Sequence, residues 1–432
     1  MSTPPLPGRA VAGVPGTLRT RTVRVHGAME DVPLLDLVPD VDAPLVSAWV
    51  RRGEGIVGWG RAATTAVTTP ARFVDARAWW EAVTHAAVVE DEVALPGSGL
   101  VCFGSFAYAA ASPAGSTLVV PEVVVGRRDG VTWVTTTAVE GPAPQPPSLL
   151  RRSDHRETGP VTVAPASATT RTWSATVEAA VAQIAEGRLD KVVLARSETV
   201  TAAAPIDART VLRRLAARYD ATWVFAVDGL VGATPEMLVR LERGLVTSRV
   251  LAGTIRRTGD DAADAALAGS LARSSKDLEE HEYAVRSVAD ALAPHTSSMN
   301  VPEAPFVLHL ANVMHLATDV TAVVSDDVRS LDLAASLHPS AAVCGTPTPV
   351  ADELIAATEE LDRGRYAGPV GWMSASGDGE WGIALRCGRI TPGAPSEITL
   401  YAGCGIVAGS DADAEVAESE AKLVPMREAL GV

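Results

Sequence analysis

The chain has 432 residues, with 37 Lys+Arg against 52 Asp+Glu and a formal net charge of -15. That balance excludes a nucleic-acid binder, because neutralising a phosphate backbone takes a surplus of basic residues. Hydrophobic residues at 47% and charged residues at 21% describe a globular chain and not a disordered one.

In chain order, residues 1–20 read as a disordered Pro/Gly-rich tail and 21–160 as a mostly β segment. Strands are predicted near 22–27, 100–108 and from 117, where Asp129-Gly130 between β-branched runs reads as a hairpin turn. One helix is predicted around 76–92, and the Pro-rich stretch 141–160 divides the chain near one third of its length. From 161 to 432, helices are predicted at 172–187, 207–219, 260–273, 276–293, 329–337, 350–363 and 411–430. Strands are predicted at 190–200, 222–228, 230–242, 245–252, 306–323, 366–376, 380–391 and 397–408. Turn signals at Asp228-Gly229, Arg243-Gly244 and Gly377-Asp378-Gly379 make hairpins of neighbouring strands. Hairpins mean antiparallel pairing, so the fold class is α+β and not a βαβ nucleotide binder.

No apolar run approaches the ~18 residues of a membrane helix, and the N-terminus lacks the apolar segment of a secretory signal. Cys102, Cys344, Cys387 and Cys404 form no CxxC pair, which fits reduced thiols in the cytoplasm. The eight histidines never fall at metal-ligand spacing, which excludes a zinc hydrolase.

Four features carry chemistry, each with a plain alternative. Lys191 opens the strand KVVLAR. It is either a snorkelling edge residue or a buried amine that acts as a base. Glu236 in GATPEML is either a carboxylate at a helix start or the general-acid partner of Lys191. Glu415, Glu418 and Lys422 share one face of the last helix, and Glu418–Lys422 is an i,i+4 pair. Glu279, Glu280, His281 and Glu282 crowd another helix. Both groups read as solvated acidic faces, or as two facing helices that supply oxygen ligands to Mg²⁺.

Taken in order, KVVLAR (191–196), GATPEMLVR (232–240), LAGTIRR (251–257), KDLEEHEYAV (276–285), LHPSAAVCGTP (337–347), RYAGPVGW (365–372), GDGEWGIALRC (377–387) and YAGCGIVAGSD (401–411) resemble the chorismate-utilising enzymes. Among them the isochorismate synthases are most similar. The resemblance covers roughly 172–430 and is looser over 1–160, the variable first part of that fold. It implies one structural unit from 21 to 432: two packed antiparallel sheets flanked by helices, an α/β/β/α sandwich, with 141–160 as an excursion.

For the reaction, the resemblance implies that water adds at C2 of chorismate while the C4 hydroxyl leaves. It places Lys191 as base and Glu236 as acid, with Mg²⁺ on Glu280 and Glu418, Glu415 acting through water and Glu279 a weaker ligand. Arg386 and Tyr366 resemble the pair that holds the enolpyruvyl carboxylate, and Gly253 and Thr254 the loop near the ring hydroxyl. Gly403 and Gly405 match backbone donors to a carboxylate, Lys422 a basic residue at the ring carboxylate, and His338 a histidine near the substrate.

Lys191 marks a user of water, since the ammonia-using relatives lack lysine there. Ala342 resembles the isochorismate synthases, whereas salicylate synthases carry Thr; Val343 departs from the family's usual Leu. The resemblance further implies a monomer acting on a small molecule, without nucleic acid or membrane, in menaquinone or catechol siderophore biosynthesis. A salicylate synthase or other chorismate converter is the alternative enzyme, and a catalytically silent binding module the alternative class.

Overall fold

The structure, a computed structural model, describes residues 16–27, 29–142, 152–165, 170–309, 313–325 and 327–432, the side chains of Thr170, Arg171, Lys276 and Glu280 apart. Among these residues the chain builds two large sheets. The larger runs Val161–Pro165, Lys191–Ala202, Ala394–Ile406, Cys387–Thr391, Leu230–Thr234, Trp223–Val227, Val46–Arg51, Glu54–Trp59, Val123–Arg128, Val131–Val139, Leu18–Arg24 and Val88–Asp91. The short Gly345–Thr346 strand adds to its Lys191 edge. The second runs Thr296–Asn300, Val313–Val324, Leu245–Arg256, Met237–Glu242, Gly379–Ile383, Pro369–Ser374, Val101–Ser105, Ser116–Val120 and Ala63–Val67. Pairing is antiparallel except where Leu18–Arg24 meets Val88–Asp91.

The hairpins follow their turn residues. Asp129-Gly130, Asp228-Gly229 and Arg243-Gly244 all take positive φ at both central positions. This twist matches the flanking strands. Arg52-Gly53 does the same between two strands that the sequence did not signal.

Several predicted strands divide. The run 230–242 is two strands, Leu230–Thr234 in the larger sheet and Met237–Glu242 in the smaller, and 380–391 splits likewise at Ile383 and Cys387. A continuous apolar stretch says nothing about which sheet each half joins, so both crossings were invisible in the sequence. Residues 306–323 also divide, into Phe306–His309 and Val313–Val324. The predicted helices are present with shifted ends; the first spans Arg72–Ala86. Of the predicted tail, residues 1–15 lie outside the described residues, and the Leu18–Arg24 strand starts within the remainder. Of the 141–160 stretch, 143–151 lie outside them, and 152–160 leads into the edge strand Val161–Pro165.

The main core fills the space between the sheets. Trp49, Trp133 and Phe225 from one sheet meet Phe103, Val239 and Trp381 from the other, all at most 2% exposed. Trp381 packs edge-on against Phe106 at 5.6 Å, and cutting such a ring to Ala costs about 3–5 kcal/mol. A second core lies on the outer face of the larger sheet. There Val211, Leu212 and Leu215 of helix Ala208–Arg218 and Leu423 and Met426 of helix Ala412–Leu430 cover Val224, Val231 and Leu400. Asp207 and Asp411 cap these helices by accepting from Arg209 N and Ala414 N.

Candidate active site

The chain crosses between the sheets at two adjacent points. Pro235-Glu236 links Leu230–Thr234 to Met237–Glu242, and the segment 384–386 links Gly379–Ile383 to Cys387–Thr391. The crossings are laced together: Ile383 N donates to Glu236 O (3.1 Å), and Ala233 N donates to Arg386 O (3.1 Å). A strand that leaves one sheet must turn its side chains into the gap between layers, so Glu236 and Arg386 both face one cavity. That cavity is about 320 Å³. Glu236 therefore does not start a helix.

The larger sheet supplies the floor. Val193 lies opposite Gly405 and Ala195 opposite Gly403 in the Lys191–Ala202 and Ala394–Ile406 pair. Because side chains alternate, Lys191 and Val193 point the same way, into the cavity. Gly405 leaves room for the lysine: a Cβ there would stand 2.9 Å from Lys191 Cε. At Gly403 a Cβ would meet Leu194 O at 2.9 Å and the Tyr366 hydroxyl at 3.0 Å.

The smaller sheet supplies a bulge. The Leu245–Arg256 strand slips register against Val313–Val324 between Ala252 and Thr254, which leaves Gly253 as the extra residue. Its φ of +73° suits glycine, and Thr254 is thereby turned to the cavity. The Thr254 hydroxyl and His315 Nδ1 share a hydrogen bond of 2.9 Å.

The last helix closes a wall. Lys422 Nζ pairs with Glu418 at 2.6 Å and donates to Gly403 O at 2.8 Å. Tyr366 stacks on Tyr401 at 5.3 Å.

Electrostatics divides the acidic groups. Burial pushes the Glu236 carboxyl up to about 7 against the opposing pull of Lys191 and Lys422, so it titrates at neutral pH and can both hold and release a proton there. Glu418 moves the other way. Burial would raise it, but Lys422 and Arg386 outweigh burial and hold it anionic, below the usual carboxylate range. Burial raises Glu415, with Ser410 pulling against it. His315 is lowered to about 4 by burial, with help from Arg386 and Lys422, and is neutral at pH 7.

Lys191, Glu236, Gly253, Thr254, Ala342, Tyr366, Arg386, Gly403, Gly405, Glu418 and Lys422 thus meet around one cavity. Two predicted residues stand apart. His338 is not among the lining residues; its Nε2 meets Tyr108 O at 3.0 Å, and its ring packs edge-on to Tyr108. Glu415 does not itself line the cavity, and its Oε1 accepts from Ser410 Oγ at 2.7 Å. The Glu280 side chain lies outside the described residues, and Glu279 is exposed.

Donor atoms of Glu415, Glu418 and Cys404 lie within 4.8 Å of one another. Two carboxylates so close fit a divalent cation.

His315, Asp277 and Arg363 also line the cavity and escaped sequence reasoning. His315 sits in the apolar strand Val313–Val324, where a single histidine gives no signal. Asp277 lay inside a block already read for its glutamates. Arg363 sat in a run predicted as plain helix, whereas that helix ends at Thr358.

The cavity gathers Lys191, Arg386 and Lys422 around the raised Glu236 carboxyl, an arrangement suited to a small molecule. Residues 48–431 match the family model described as "Chorismate binding enzyme", and the chain belongs to that family. It is 40% identical to isochorismate synthase DhbC of Bacillus subtilis over 59% of this chain and 67% of that one. It is also 40% identical to the putative isochorismate synthase MenF of Mycobacterium tuberculosis, over 57% and 69%. A crystal structure titled as the putative 2,3-dihydroxybenzoate-specific isochorismate synthase DhbC of Bacillus anthracis is 30% identical, with a TM-score of 0.74 over 92% of this chain and 98% of that one. The menaquinone-specific isochorismate synthase MenF of Escherichia coli, 24% identical, shares the fold with a TM-score of 0.76 over 97% and 95%. The two-sheet α+β architecture is thus that of the chorismate-utilising enzymes. No helix among the described residues is long and apolar enough to cross a membrane.

Proposed function

We propose that the protein is an isochorismate synthase: it adds water at C2 of chorismate and releases the C4 hydroxyl as water. The observation that carries this reading is the shared cavity of Lys191 and Glu236, with burial raising Glu236 to titrate at about 7. In this account the Lys191 amine accepts a proton from the attacking water, and Glu236 delivers its own to the departing hydroxyl. One water enters and one leaves, so the product is an isomer of the substrate. Arg386 and Tyr366 hold the enolpyruvyl carboxylate; the guanidinium fork suits that planar anion. Lys422 and the Gly403–Gly405 backbone face the ring carboxylate, and Gly253 and Thr254 face the ring hydroxyl.

Glu418 and Glu280 would hold Mg²⁺, with Glu415 acting through water, and the ion would supply the charge that neutralises the ring carboxylate. The closeness of the Glu415 and Glu418 carboxylates supports the Glu418 part of that reading, and the Glu280 part rests on the sequence resemblance alone.

By the same resemblance we read the enzyme as a monomer and place it in the cytoplasm. Its relatives' names divide between menaquinone and 2,3-dihydroxybenzoate, and its product suits either menaquinone or catechol siderophore synthesis. The alternative, a salicylate synthase, is disfavoured by Ala342 at the cavity wall. The reading is tested by Lys191→Ala: isochorismate formation should vanish while the fold and Mg²⁺ binding persist. Full activity in that variant would remove lysine from the base role.

A further inference from the structure

The edge of the larger sheet is incomplete beside the site. On its outer side, Lys191–Ala202 pairs with Gly345–Thr346 only at Lys191 and Val192, and with Val161–Pro165 only from Glu198 onward. Val193 N still donates to Cys344 O at 2.8 Å, but beyond it, among the described residues, no strand pairs with the outer side of this edge at Val193 O and Ala195. A buried edge with open N–H and C=O groups costs on the order of 1–3 kcal/mol per group.

Side chains fill the gap. Arg363 Nη2 donates to Val193 O at 2.7 Å, and Glu359 Oε1 accepts from Ala195 N at 2.7 Å. Trp173 Nε1 donates to Ala195 O at 3.2 Å. Arg363 and Glu359 are themselves a bidentate pair, at 2.8 and 2.6 Å, each with a side chain 3% exposed. Arg363 Nη1 also donates to Val343 O at 2.8 Å. One guanidinium thus ties the Lys191 strand to the segment that carries Ala342. Tyr108, whose carbonyl His338 holds, lies with its ring 4.4 Å from the Arg363 guanidinium carbon.

We propose that Glu359 and Arg363 are positioning residues that act as a missing β-partner, holding the Lys191 strand and the Ala342–Val343 wall in register across the cavity. The claim rests on the proposed function for its kinetic consequence and on geometry alone for its structural one. Burying a charged pair this deeply stabilises little in itself, since desolvation offsets the attraction. Its directional bonds to two segments are what an apolar substitute would not supply. Lys191 lies two residues from the bonded Val193 carbonyl, so a loosened edge moves the amine relative to Glu236.

The test uses the full chain carrying Glu359→Gln, with Arg363→Lys as a second variant that keeps the charge but loses the fork. Amide exchange at Ala195 should speed up in Glu359→Gln, because its acceptor is changed from carboxylate to amide. The kcat for chorismate should fall about 100-fold while KM moves less than about threefold, the signature of a misplaced reacting group and not of lost binding. The pH limb set by Glu236 should move upward, because Lys191, whose pull opposes burial at Glu236, has drawn away. Unchanged Ala195 exchange overturns the proposal whatever the activity. So does a kcat loss that merely tracks the unfolded fraction, with the pH limb in place. Failure of the wild type to make isochorismate defeats the functional reading instead, and the exchange result still decides the positioning role.

Discussion

Lys191 lies across Gly405, so that its side chain occupies the space a larger residue at 405 would need. The two are not cross-strand partners; Gly405 faces Val193, and the lysine leans along the strand to reach it. A floor of Gly403 and Gly405 beneath a reaching lysine is how a flat strand pair makes room for a substrate.

The Gly405→Ala substitution tests that relationship. The added methyl would meet the far end of a flexible chain, 2.9 Å from Cε and 3.5 Å from Nζ, and the fold can yield there at small cost. The lysine cannot yield without leaving its place. We predict a kcat loss of about 10- to 100-fold with the melting temperature nearly unchanged. Steady-state kinetics beside thermal unfolding would check this.

Glu236 predicts a pH dependence. As proton donor it must be protonated, so kcat should fall as pH rises through about 7. Glu236→Gln should lower kcat by on the order of 100- to 10,000-fold and abolish that limb. Stability follows the same proton. The folded-state value lies above the ordinary 4.5, so Glu236 binds its proton more tightly when folded. Its contribution is present in full below about 4.5 and is lost as pH rises through 7. At pH 8 the Gln variant should therefore be the more stable protein, by on the order of 2 kcal/mol. Denaturant unfolding at pH 5 and pH 8 would show that advantage shrink at the lower pH.

Glu418→Gln should raise the Mg²⁺ requirement sharply. The substitution removes the proposed ligand, a carboxylate that Lys422 and Arg386 hold anionic, and frees Lys422 of its 2.6 Å partner. Calorimetric titration with Mg²⁺ reads this without turnover. Unchanged affinity would sink the ligand assignment.

Ala342→Thr should increase pyruvate release relative to isochorismate. Ala342 lines the cavity beside Val343, and a hydroxyl there would reshape the wall where salicylate synthases differ. A coupled lactate dehydrogenase assay measures the pyruvate.

Much of the fold was legible in the chain because its signals are local. Asp129-Gly130, Asp228-Gly229 and Arg243-Gly244 demand positive φ and so mark hairpins directly. The helices announce themselves by caps such as Asp207 and Asp411. The crossings at Glu236 and Arg386 were not legible, since a strand that changes sheets keeps its apolar run unbroken. The site divides along the same line. Residues in distinctive blocks, such as Lys191, Gly253 and Lys422, were found and do converge. His315 and Arg363 depend on what lies across the cavity, which no local spacing records. His338 sat in an equally distinctive block, yet its ring turns to the Tyr108 carbonyl. A motif places a residue near a site without deciding which way its side chain points.

The most direct test is to incubate the purified protein with chorismate and Mg²⁺ in ¹⁸O-labelled water and resolve the products by chromatography with mass detection. Water attack at C2 predicts isochorismate as the main product, carrying one ¹⁸O at its C2 hydroxyl. Unlabelled isochorismate would contradict the roles of Lys191 and Glu236, and salicylate with pyruvate as the main products would contradict the assigned reaction.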